Sequence, residues 1–220
     1  RIEAEARKLG HQGIVRMRYW GGEVFYGHLM AGPSGAVPSF PRSPTGGSGA
    51  SPAVAQGPGF RPIQRHEPVL VDYIFALNGY YSDHTRIFSI GEPGDEMMAA
   101  HTAMLDVQAL IKEEAKPGVK SGDIYDLAIE RARTLGYDKY FMGVGEERIR
   151  FVGHGIGVEI DEYPFLASGQ ALELQEDMTL ALEPKLIFPG QGVVGIENTH
   201  RVTENGLQQF GQFPDEIVIV

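Results

Sequence analysis

The chain has 220 residues, 42% apolar and 22% charged, with a net charge of −10 and no cysteine. That length can bury the core of one large domain or two small ones, and the lack of cysteine excludes disulfides and thiolate metal sites. No apolar run approaches the roughly 18 residues of a membrane span, and an acidic chain without a basic stripe cannot displace counterions from nucleic acid.

In chain order, residues 1–10 read as a helix stopped by Gly10. With no initiator Met and no apolar leader, the expectation is a single domain over 1–220, cut from a longer protein whose N-terminal part is absent, and no secretory signal. Residues 13–31 are rich in aromatic and β-branched types around Gly21-Gly22 and predict a hairpin. Over 33–60 the composition shifts to Pro, Gly, Ser and Ala. That is long for a loop in a compact domain and suits either a lid or a mobile connection. A strand opens at Val69, turns at Leu77-Asn78-Gly79 and returns over 79–90. Apolar residues then fall at helical spacing over 95–115 and 121–135, with Ser121 as N-cap and Gly136 as stop. Strand patterns resume over 151–160, 179–188 and 193–201. Strands, two helices and strands again predict an α+β fold, the helices on one face of an antiparallel sheet.

Five polar residues interrupt these apolar strands. Asp72 and Asp83 flank one tight turn, and a hairpin can aim both at one site. Asp is depleted in strands and costly to bury unpaired, although both could simply satisfy turn or backbone donors. His154 stands in Gly153-His154-Gly155-Ile156-Gly157, where glycines leave room beside the imidazole; a lone His is more often structural. Glu183 ends the apolar run Leu180-Ala181-Leu182, and Glu197 follows Gly195-Ile196. Four carboxylates converging in a core would repel and have to protonate, whereas two divalent cations would hold them ionised. Carboxylates with one His suit Mn, Co, Fe or Zn.

Together these segments resemble the pita-bread metallopeptidases, the group of methionine aminopeptidase, aminopeptidase P, prolidase and their non-peptidase relative creatinase. The shared pattern is an Asp, a second Asp eleven residues on, His in Gly-His-Gly-Ile-Gly, Glu before Pro and a final Glu; here Asp72, Asp83, His154, Glu183 and Glu197. The resemblance runs over about 13–206, and residues 82–86 and 190–206 are most similar to the Xaa-Pro peptidase branch. It implies a curved antiparallel sheet with helices on its outer face and a pair of divalent ions. Asp72 would bind one ion terminally and His154 the other, Asp83 and Glu197 would bridge them, and Glu183 would bind beside His154. A metal-bridging hydroxide would attack the peptide bond, with Glu183 as the catalytic proton carrier. A cytoplasmic homodimer acting on peptides before or at proline is expected, without nucleic-acid or membrane partners.

The pattern breaks at two histidines and an arginine. Asp161 stands where the second family His lies seven residues after the first, and Ser39 where another His is expected, so these two are the candidate substrate-binding residues. Gly195 replaces an Arg two residues before the final Glu, and His66 and His84 are the nearest substitute imidazoles. A carboxylate cannot donate to a developing oxyanion unless it is protonated. Three readings therefore stand: an Xaa-Pro metallopeptidase, a non-peptidase hydrolase of the creatinase kind, or a binding module that kept the fold. Retention of all five ligands favours the first.

Overall fold

The computed structural model of the chain describes residues 1–16, 27–38 and 43–220. Helix α1 (Ile2–Lys8) ends ahead of Gly10, whose φ of +98° is the left-handed conformation glycine adopts without steric cost. Strand β1 (Gly27–Ala31) runs into a 3-10 turn (Gly32–Ala36) and pairs antiparallel with β2 (Val69–Leu77). The Gly21-Gly22 turn of the expected hairpin and Ser39 lie outside the described residues. Between β1 and β2, the described part of 33–60 folds back on itself through Gly57 N–H to Gly46 C=O at 2.7 Å and Gly46 N–H to Val37 C=O at 2.9 Å. It packs so closely on β1 that a Cβ on Gly47 would stand 2.7 Å from Met30 Sδ.

Strand β2 alternates buried and part-exposed residues, turns at Asn78-Gly79 and continues as β3 (Tyr80–Ser89). Helices α2 (Asp95–Glu114) and α3 (Ser121–Thr134) bury Ala100, Met104, Val107 and Ile111, and Ile124 and Ala128, one stripe each at the three- and four-residue spacing of a helix face. Gly136, φ +84°, stops α3 as expected. Ser121 is not its cap: the cap position is Lys120, and the Ser121 hydroxyl is buried without a hydrogen bond among the described residues while its N–H donates to Leu172 C=O.

The C-terminal half supplies β4 (Phe151–Gly155), β5 (Glu162–Ala167), β6 (Thr179–Leu182), β7 (Lys185–Phe188), β8 (Gly192–Gly195), β9 (Asn198–Thr203), β10 (Gly206–Gln209) and β11 (Val218–Ile219). The strands expected over 179–188 and 193–201 are each broken, at Glu183-Pro184 and at Ile196-Glu197. Both breaks fall on expected ligands. The strands form sheets ordered β1-β2-β3-β11, β10-β9-β6-β4-β5 and β7-β8. Among the described residues every strand pairing is antiparallel except β11 against β3. A bridge between Thr85 and Glu197 joins the first two sheets. Among the described residues no helix is long and apolar enough to cross a membrane.

Candidate metal centre

Asp72 and Asp83 meet through strand register. Asp72 lies opposite Thr85 and Asp83 opposite Ile74, which makes the two carboxylates diagonal neighbours on one face of the β2–β3 pair. His154 comes from β4, Glu183 from the end of β6 and Glu197 from the break before β9. All five are at most 8% exposed, so the sequence pattern gathers them in the interior.

Asp83, His154 and Glu197 each offer a ligand atom within 4.8 Å of the others. His154 Nε2 is 3.8 Å from Glu183 Oε1. Its other nitrogen, Nδ1, faces Gly155 C=O at 3.0 Å and Asp161 Oδ1 at 3.6 Å. A carboxylate and a carbonyl behind one ring nitrogen fix the imidazole and point the other at the centre, as behind metal-binding histidines generally. Thr85 Oγ1 donates to Glu197 Oε2 at 2.9 Å. Asp83 Oδ1 is buried with no hydrogen-bond partner among the described residues, although the Asp83 backbone is pinned by Thr199. A buried carboxylate oxygen aimed at an imidazole and a second carboxylate is the chemistry of a cation site.

A sixth residue, missed in the sequence, sits among the five. Lys185 opens β7, fully buried, with Nζ 2.7 Å from Glu197 Oε2, 2.8 Å from Glu183 Oε2 and 3.6 Å from Asp72 Oδ2. The available signal was a Lys between Pro184 and the apolar Leu186-Ile187-Phe188, since a lysine in a buried strand has to be paired. With protein groups alone as partners, burial would lower the Lys185 pKa, but Glu183, Glu197 and Asp72 carry it well above the usual value. Burial pushes Glu183 up to about 7 against the opposing pull of Lys185. Burial also raises Asp72, and burial with Glu197 and Asp72 nearby raises Asp83 well above the carboxylate range. Burial acts upward on Glu197 too, yet Lys185, His154 and Thr85 bring it below its usual value. The donors suit one cation at Asp83, His154 and Glu197. A second cation on Glu183 Oε2, Glu197 Oε2 or Asp72 Oδ2 would compete with the ammonium for the same oxygens.

The substitute imidazoles expected from the sequence are elsewhere. His84 is the strand neighbour of Asp83, so it points to the opposite face, where it lines a cavity of about 340 Å³ with Tyr73 and Phe213. His66 is exposed and bonds to Glu92 C=O at 2.8 Å. His28, not expected, lies directly opposite Asp72, close enough for Asp72, Lys185 and Glu197 to act on its charge; burial dominates and pushes its pKa down. Behind the centre, Arg86 Nη1 donates to Glu197 C=O at 3.0 Å, and Nη2 donates to Asn198 Oδ1 at 2.8 Å and stands 3.0 Å from Asp215 Oδ1.

Residues 2–204 match the description Metallopeptidase family M24. The chain is similar to the Xaa-Pro dipeptidase of Lactobacillus delbrueckii subsp. lactis, 32% identical over 75% of this chain and 43% of that protein. The same identity relates it to the Xaa-Pro dipeptidase of Pyrococcus furiosus, over 71% of this chain and 43% of the relative. It therefore spans less than half the length of these curated relatives. In structure it is similar to an X-Pro aminopeptidase from Thermotoga maritima, with a TM-score of 0.78 and 26% identity over 97% of this chain and 51% of the other. A methionine aminopeptidase from Thermotoga maritima shares the fold, with a TM-score of 0.63 over 86% of this chain and 75% of the other.

Proposed function

Because the chain belongs to metallopeptidase family M24, whose pita-bread fold it has, we propose that it is the catalytic domain of a longer, metal-dependent hydrolase that cleaves peptides at Xaa-Pro bonds. The observation that carries this reading is the buried convergence of Asp83, His154 and Glu197, with Glu183 Oε1 3.8 Å from His154 Nε2. Asp83, His154 and Glu197 would hold a divalent ion, Mn, Co, Fe or Zn by donor type. A bound ion supplies Lewis acidity and lowers the pKa of its water.

The protein's own groups do the rest. Glu183, raised to about 7 by burial, accepts a proton near neutral pH and returns it to the leaving amine. Asp161 and Gly155 hold the His154 ring, and Thr85 holds Glu197. Asp72, diagonal to Asp83 on the same face of the β2–β3 pair, would add a further carboxylate beside the ion. A second ion would require Lys185 to give up its contacts with Glu197, Glu183 and Asp72. A peptide substrate, the cytoplasm and a homodimer are parts of the same proposal.

The test is release of free amino acid from Xaa-Pro dipeptides and from longer peptides with proline second, with Mn or Co added. Cleavage that Glu183→Gln abolishes supports the reading. A folded, metal-loaded protein that leaves every such peptide intact overturns it. One observation favours a second reading: Asp161, a carboxylate, stands behind His154 where the peptidase pattern has a donor. A hydrolase of a non-peptide C–N bond would then cleave amidines while sparing the peptides.

A further inference from the structure

We propose that the Lys185 ammonium takes the place of one of the two cations that this carboxylate cluster would otherwise hold, so that the centre binds a single divalent ion, at Asp83, His154 and Glu197. The inference rests on the reading of those residues as ligands.

The ammonium is spent on three of the five expected ligands: Glu197 at 2.7 Å, Glu183 at 2.8 Å and Asp72 at 3.6 Å. An ammonium has three donors and no acceptor; two of them are used in hydrogen bonds to Glu183 and Glu197, and Asp72 adds an ion pair at 3.6 Å. A divalent ion binds carboxylate oxygen at roughly 2.0–2.2 Å. On Glu183 Oε2 or Glu197 Oε2 it would share an oxygen with the ammonium, placing two cations side by side in the interior. The charge count is even-handed: four buried carboxylates keep one negative charge beside one divalent ion and the lysine, and carry one positive charge beside two ions and the lysine. The shared oxygens, not the total charge, argue for one ion.

The backbone and the base of the side chain are held in place. Lys185 C=O accepts from Met142 N–H at 2.9 Å, and its strand partner is Gly195. A Cβ on Gly195 would stand 2.7 Å from Lys185 Cα and 3.0 Å from its Cγ. The absence of a side chain at 195, where the Xaa-Pro pattern has an Arg, is what gives the lysine stem its room.

The experiment counts ions. The full chain is dialysed against Mn, freed of excess ion, and its Mn content measured by mass spectrometry. We expect one Mn per chain in the parent, one in Lys185→Arg and two in Lys185→Met. Two Mn in the parent overturns the proposal, as does none, or a Lys185→Met protein that binds no more than the parent. The parent's own count decides the matter even where Lys185→Met does not fold. Two ions with peptide cleavage would refute this inference and leave the proposed function, whereas one ion without cleavage would do the reverse.

Discussion

Lys185 Nζ and Glu197 Oε2 are 2.7 Å apart, and their side chains are 1% and 2% exposed. A buried pair of this kind is expensive to break, because removal of one partner leaves the other charged and dry. We expect Lys185→Met to lose about 3–5 kcal/mol in urea denaturation with chelator present, and to recover much of it when Mn is added. A variant as stable as the parent in chelator would show that the pair is not holding the centre together.

Asp83 carries the opposite prediction. Burial and its acidic neighbours raise its pKa well above 3.8. The unfolded state then gives up that proton more readily than the folded one, so stability falls as pH rises through and above the unfolded value. Without ion at pH 7, Asp83→Asn should therefore melt higher than the parent. In saturating Mn the order should reverse, because a ligand at 100 times its Kd stabilises by about 2.7 kcal/mol and the variant forfeits that gain. Equal responses of the two proteins to Mn would move the ion away from Asp83.

Asp161 is expected to act through His154, from which it is 3.6 Å distant. Asp161→Asn keeps the shape and removes the charge behind the ring, and such partners are worth roughly 10–100-fold in metal affinity. Calorimetric titration with Mn should show that weakening at an unchanged ion count. An unaltered Kd would return Asp161 to the substrate pocket.

His200, fully buried in β9, is pulled down to about 3 by burial, reinforced by Lys112. Its folded pKa lies below the unfolded value near 6.5, so the unfolded state binds the extra proton between those limits and stability falls as pH drops through that window. The loss is on the order of 4 kcal/mol. Urea midpoints taken from pH 7 to pH 4 should fall less steeply for His200→Leu than for the parent. Parallel slopes would assign acid sensitivity to other groups.

The sequence carried the alternation of β2 and β3, the helical stripes of α2 and α3 and the five polar interruptions, because each is a local pattern whose period or chemical oddity can be read along the chain. What it hid was three-dimensional. Lys185 looked like one residue of an apolar stretch until β7 and β8 brought it under Gly195, and His28 had no apparent link to Asp72 until β1 paired with β2. Ser121 had the composition of a cap, but the path of the backbone there assigned the cap position to Lys120. His84 was judged by nearness in sequence, yet strand alternation turns the residue after Asp83 to the far face.

Arg86 reaches from Glu197 C=O to Asp215, Phe213 C=O and Pro214 C=O, and the segment beyond them joins β3 as β11. The carbonyl of Glu197 is thus tied to residues 213–215 through one guanidinium. A chain shortened before Phe213 would keep Asp72, Asp83, His154, Glu183 and Glu197 and lose the strap that aligns the last of them. Proteolytic trimming of the C-terminal segment would therefore reach the centre without touching any of the five.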